Sequence, residues 1–211
     1  MESFATYTDT QLVLSFQNGN AAAMAELVDR HKDKIYSSIF FLVKNKTLAE
    51  DIFQDTFIRV IDTLRMRRYN EEGKVLPWIM RIAHNLCVDY FRKIKRVPIV
   101  TSDQNDIRSI FEAMGINNYD NAETQIIQNE TNATLVNMLQ RLPDAQREVI
   151  ILRHYADLSF KEIAVITKCS INTALGRMRY GLLNLRKMME ESQNEAASIE
   201  NGEFQIKQDR L

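Results

Sequence analysis

The sequence predicts an all-α protein: two small helical domains joined by a flexible acidic linker. Three observations lead there. The 211 residues contain only six Gly and three Pro, too few turn-formers for an all-β chain of this length. Apolar residues recur at three- and four-residue spacing in two separated stretches, 20–96 and 131–190, which is the period of an amphipathic helix. Between them, 97–130 is acidic and rich in Asn and Asp, and such a composition buries too little apolar surface to offset the entropy of ordering.

The elements follow in order. A first helical stretch carries Leu27, Ile35, Ile39 and Leu42 among charged residues. The next, LAEDIFQDTFIRVIDTL (48–64), sets Phe53, Phe57, Val60 and Leu64 along one face, opposite Glu50, Asp51, Gln54, Asp55 and Asp62. Asn70 and Gly73 supply turn chemistry. Pro77 then opens a third helix, since a missing N–H costs nothing in a first turn. That helix buries Trp78 or Ile79 with Ile82, Ala83 and Leu86, and repeats Arg81, Asn85, Asp89, Arg92 and Arg96 on another face.

Beyond the linker, Leu142–Pro143 marks a corner, and AQREVIILRHY offers Val149 and Leu152 for burial. Ser159 and Glu162 form an S-x-x-E capping box that fixes the start of a short helix. Ile163, Ala164 and Ile166 are its inward residues, Lys168 to Ser170 makes a turn, and Ser170 caps a helix through Met189. The tail, 191–211, is polar and reads as frayed or disordered.

Charge is distributed in blocks. The net charge is only −1, but residues 65–96 carry nine Lys and Arg against three Asp and Glu, and residues 133–190 carry nine against five. A phosphate backbone feels the local block, because salt screens anything beyond about 8–10 Å. Two cysteines far apart, Cys87 and Cys169, make neither a disulfide framework nor a zinc site, and His31, His84 and His154 do not cluster. There is no Gly-rich phosphate loop, nucleophile elbow or convergent carboxylate pair. The expectation is a protein without catalytic machinery, metal or cofactor. MESFATYTDTQ lacks the features of a signal peptide, and no apolar run approaches the ~20 residues of a membrane span. A cytoplasmic protein with no direct membrane insertion is expected.

LSFKEIAVITKCSINTALGRMRYGLLNLRK (158–187) has the pattern of a helix-turn-helix, in which one helix braces the corner and the next presents side chains to DNA. Asn172, Thr173, Arg177 and Arg179 are its early exposed polar positions; Asn and Thr suit base edges, and Arg suits phosphate or guanine. A plain helical hairpin with a solvated basic face is the competing reading of the corner.

Three segments in order carry a resemblance: LAEDIFQDTFIRVI, LPWIMRIAHNLCVDYFRK and LPDAQREVIILRHYADLSFKEIAVITKCSINTALGRMR. Together the chain resembles the sigma-70 superfamily of RNA polymerase sigma factors, in its extracytoplasmic-function (ECF) group. The resemblance implies a transcription initiation factor that binds bacterial core RNA polymerase and recognises the −10 and −35 promoter elements. It implies a sigma region 2 domain over 1–96, a linker over 97–130 and a sigma region 4 domain over 131–190. Polymerase binding then falls to Glu50, Asp51, Gln54, Asp55 and Arg59. The −10 element falls to Tyr69, Asn70, Glu71, Lys74, Trp78, Arg81, Asn85 and Arg92, and the −35 element to Lys161, Ser170, Asn172, Thr173, Arg177 and Arg179. The partners implied are core polymerase, promoter DNA and an anti-sigma factor. The chain departs from the family where Lys168 stands in place of a common Gly, and where Leu175 and Tyr180 replace residues that are often basic. Leu175 reads as packing. The alternative function is a stand-alone dimeric helix-turn-helix regulator, which would bind palindromic duplex DNA without polymerase.

Overall fold

The computed structural model describes residues 4–70, 73–94 and 134–208, and among these all regular structure is helical. The linker 97–130 and Glu71 lie outside the described residues. After a 3-10 turn at Phe4–Thr6 come α1 (Asp9–Gln17), α2 (Ala21–Val43), α3 (Lys46–Arg65) and α4 (Val75–Ile94). A helical stretch at 134–141 leads into α5 (Asp144–His154), α6 (Phe160–Ile166) and α7 (Ile171–Gln208). Among the described residues, no helix is long and apolar enough to cross a membrane.

Local chemistry sets the helix starts. Thr8 and Gln11 form a reciprocal capping box for α1. The Asn20 side chain accepts from the Ala22 N–H, and that of Asn45 from the Leu48 N–H. Each satisfies a first-turn donor that has no partner within its own helix. α1 lies upstream of the predicted helical stretch and is buried through Leu12 and Val13; the T-x-x-Q signal for it stands in the sequence at Thr8–Gln11.

Helices α1 to α4 pack on one another around Leu27, Ile35, Ile39, Val60, Leu64, Ile79 and Ala83. Of the two anchors open at the start of α4, the core takes Ile79, while Trp78 is half-buried. α5, α6 and α7 close around Val149, Leu152, Ile163, Ile166, Ala174 and Leu185. α7 approaches α5 closely at Gly181, where an added Cβ would lie 2.7 Å from Ile150 Cδ1. α7 also runs on to Gln208, into the stretch expected to be frayed. The Glu, Gln and Ala content of that stretch favours helix, and a single Gly202 costs only about 1 kcal/mol.

The two groups of helices are fastened along one seam, with α2 against α5 and α4 against α6. Lys34 pairs with Asp157 at 2.6 Å, and the Lys44 Nζ donates to the Gln140 carbonyl. Phe41 and Tyr155 meet at 5.8 Å between ring centres. Behind them, His84 Nε2–H donates to Glu148 at 2.6 Å, and the buried Arg147 reaches the carbonyl of Phe41. The buried residues of both groups form one continuous core.

Candidate nucleic-acid interface

The acidic face of α3 forms because Ala49, Ile52, Phe57, Val60 and Leu64 turn inward. That leaves Glu50, Asp51, Gln54, Asp55 and Arg59 all exposed. Ile58 stands among them 57% exposed, which the polar pattern does not announce. An apolar side chain within an acidic patch suits a protein partner better than a phosphate backbone.

The turn between α3 and α4 brings Tyr69 onto Trp78, their ring centres 4.2 Å apart and tilted by 37°. Both border a cavity of about 380 Å³ together with Asn70, Lys74 and Arg81. Five of the eight residues expected at the −10 element therefore share one concavity. Arg68 also lines it, a residue outside the expected −10 set although the run RMRRY (65–69) signals a basic approach. Aromatic faces beside cations are what an unstacked base with its phosphate requires.

Other expected residues are placed elsewhere. Asn85 borders a second cavity of about 320 Å³ with Arg59, Asp62 and Arg68, on the α3 side of α4. Arg92 is exposed near the end of α4, where Asp89 pairs with it at 3.5 Å. Lys161, expected with the −35 group, lines the Tyr69–Trp78 cavity together with Glu162. The reason lies in packing: α6 rests against α4, and that contact turns the first residues of α6 toward the cavity.

The helix-turn-helix corner is a tight helix stop. The Cys169 N–H donates to the Ala164 carbonyl at 3.0 Å, and Lys168 takes a left-handed φ of 52°. This is the Schellman arrangement, for which glycine is the usual residue. Ser170 caps α7 by accepting from the Thr173 N–H at 3.0 Å, with the two hydroxyls 2.8 Å apart. Asn172, Thr173 and Arg179 are exposed on the first turns and Arg177 is half-buried. Leu175 is 44% exposed and Tyr180 61%. Leu175 thus lies on the outer face of the helix and does not act as packing.

Burial tunes two groups at the seam. Cys87 has its thiol pushed up to about 12, first by burial and then by the charge of Glu148. Lys44 is lowered, chiefly by burial and then by the neighbouring Arg147 charge.

Two family models match this chain in the same order as its helices: Sigma-70 region 2 over residues 27–97, and Sigma-70, region 4 over residues 133–177. The ECF RNA polymerase sigma factor SigW of Bacillus subtilis is 31% identical over 183 residues, covering 83% of this chain and 93% of the relative. The ECF RNA polymerase sigma factor SigM of the same organism is 29% identical over 160 residues, covering 74% and 91%. Among solved structures, CnrH in complex with the cytosolic domain of CnrY aligns at TM-score 0.60 and 21% identity, over 87% of this chain and 98% of that one. The sigma factor RpoE, in complex with the anti-sigma factor NepR from Bartonella quintana, aligns at 0.59 and 19%, over 79% and 96%. These two likenesses speak for the fold. The sequence matches go further: the chain belongs to the ECF group of the sigma-70 family, transcription initiation factors that direct bacterial RNA polymerase to its promoters.

Proposed function

We propose that the three surfaces divide the work of initiation. The exposed acidic face of α3, with Asp51, Gln54 and Asp55 at its centre, docks on core polymerase. The Tyr69–Trp78 cavity, with Asn70, Lys74 and Arg81, takes a base of the opened −10 strand, and Glu71, Asn85 and Arg92 hold the strand beside it. The start of α7, through Ser170, Asn172, Thr173, Arg177 and Arg179, meets the −35 duplex. Residues 1–96 and 131–190 act as the two promoter-reading domains, 97–130 as their tether and 191–211 as an added tail. The chain itself carries no catalysis and works in the cytoplasm. An anti-sigma factor is its regulatory partner, as NepR is for the RpoE of the solved complex.

The observation that carries this reading is the stack of Tyr69 on Trp78 inside a cationic cavity, on the same chain as a helix-turn-helix. A base laid against such an aromatic side chain gains about 1–3 kcal/mol. The test adds the purified chain to bacterial core polymerase and follows complex formation and promoter-directed transcription. Asp55→Arg is expected to weaken the complex with core at least about tenfold, since a buried like-charge contact costs over 1.4 kcal/mol. Trp78→Ala is expected to leave the complex intact and to reduce opening. Failure of the unaltered chain to form a stable complex with core overturns the proposal.

A further inference from the structure

We propose that the cavity between α4 and α6 is a binding site for a phosphorylated nucleoside, held by groups from both halves of the molecule. This goes beyond promoter reading, because the ligand is a free nucleotide and one of its contacts, Lys161, comes from the helix-turn-helix.

Four cations face this one cavity: Arg68, Lys74 and Arg81 from the α3–α4 side, and Lys161 from α6. Among the described residues, none of the four is in an ion pair. Among the described residues the carboxylate on the wall is Glu162, one of whose oxygens accepts from both the Ser159 N–H and the Ser159 hydroxyl. Like charges gathered around a partly enclosed space repel one another. Here they are held together by the seam behind them, through His84–Glu148 and Arg147–Phe41. An anion in the cavity converts that repulsion into charge-assisted hydrogen bonds.

The remaining wall selects what the anion carries. Tyr69 and Trp78 present ring surface, and Val165 and Ile166 of α6 supply an apolar side opposite. A volume of about 380 Å³ is at the lower end of the range for small-molecule sites. Phosphates on the cations and a planar base against the rings use every part of this wall. Because the ligand touches α4 and α6 together, it fastens the two halves and competes with a −10 strand for the same rings.

Trp78 is the only tryptophan of the chain, so its fluorescence reports the cavity directly. The experiment titrates the full chain, without polymerase, with ATP, GTP, inorganic tripolyphosphate and a mixed-sequence single-stranded decanucleotide. ATP or GTP is expected to change Trp78 emission saturably below millimolar concentration, with tripolyphosphate binding more weakly. Lys161→Glu, at an exposed position in the first turn of α6 where an acidic residue favours the helix, is expected to weaken the nucleotide about tenfold. Calorimetry on Tyr69→Ala provides a readout that leaves Trp78 in place, and weaker binding is expected there too. No saturable change with either nucleotide, equal binding of tripolyphosphate, or undiminished binding by Lys161→Glu overturns the proposal. So does binding of the decanucleotide alone, which would assign the cavity to the −10 strand only. Since no polymerase is present, these outcomes are separate from those that test initiation.

Discussion

The Arg147 guanidinium donates its Nε–H to the carbonyl of Phe41 at 3.0 Å, across 106 residues of sequence. Its Nη1 donates to the carbonyls of Leu142 and Gln140 at 3.1 and 3.3 Å, and its Nη2 to Asp144 at 2.6 Å. Phe41 stands in the last turn of α2, and Gln140 and Leu142 at the end of the 134–141 helical stretch. Carbonyls at those positions have no partner within their own helix. One buried cation therefore caps two helix ends, one from each half, and also meets the negative ends of their dipoles.

Arg147→Met tests that role. The side chain is 2% exposed, so the substitution leaves the buried carbonyls of Phe41 and Leu142 facing an apolar group, while that of Gln140 keeps Lys44 as a donor. A loss of about 3–5 kcal/mol in unfolding free energy is expected, measured by urea denaturation. A loss under about 1 kcal/mol would show that the carbonyls find other donors, and that the cap is incidental.

Lys168→Gly is expected to stabilise the protein. Lys168 holds φ at 52° in the corner between α6 and α7, a conformation that costs an L-residue about 1–2 kcal/mol. Glycine adopts it freely but gains entropy in the unfolded chain, which offsets part of the advantage. The net expectation is a gain of about 0.5–1 kcal/mol, read as a higher denaturation midpoint with an unchanged slope. An unchanged or lower midpoint would mean that the Lys168 side chain contributes packing there.

What the sequence made legible was local. The capping box at Ser159 and Glu162, the inward set Ile163, Ala164 and Ile166, and the exposed face from Glu50 to Arg59 depend on neighbours within one or two turns. The T-x-x-Q cap at Thr8 is equally local, but no long apolar stripe follows it to mark a helix. The seam was not legible. His84 meets Glu148 across 64 residues, and Lys34 meets Asp157 across 123, pairings that no spacing rule connects. Lys161 lines the Tyr69–Trp78 cavity for the same reason. Its position in the helix was readable, but the direction of that helix face is set by α6 packing on α4.

Acid is expected to loosen α1 from α2. His31 Nε2–H donates to Asp9 at 2.6 Å and Arg30 Nη1 at 2.9 Å. These contacts, the His31 hydrogen bond foremost, hold the Asp9 carboxyl below its ordinary 3.8 against the opposing effect of burial. A folded value below the unfolded one means that the stabilisation is complete above about pH 3.8 and is lost as pH falls through the folded value. Asp9→Asn is therefore expected to be less stable than the unaltered chain at neutral pH, with the difference closing in acid. Urea midpoints collected against pH check this. A difference that stays constant below pH 3.8 would place the effect of the substitution outside the carboxylate.

Cys87 offers a chemical clock for the seam. It is 1% exposed, and its thiol is pushed up to about 12 by burial and by Glu148. About four pH units below that value, near pH 8, roughly one thiol in ten thousand is thiolate. Direct attack on a disulfide reagent is then negligible in the closed fold. The native chain is expected to react rapidly once, at the half-buried Cys169, and a second time only as fast as α4 and α5 part. Glu148→Gln removes the nearby charge and weakens the contact with His84 at once. Both changes act in the same direction, so Cys87 is expected to label faster in that variant while Cys169 keeps its rate. Arg147→Met, which leaves the Glu148 charge in place, separates the two causes. Faster labelling of Cys87 there reports opening of the seam alone, and a rate equal to that of the unaltered chain would show that reagent reaches Cys87 without the two halves separating.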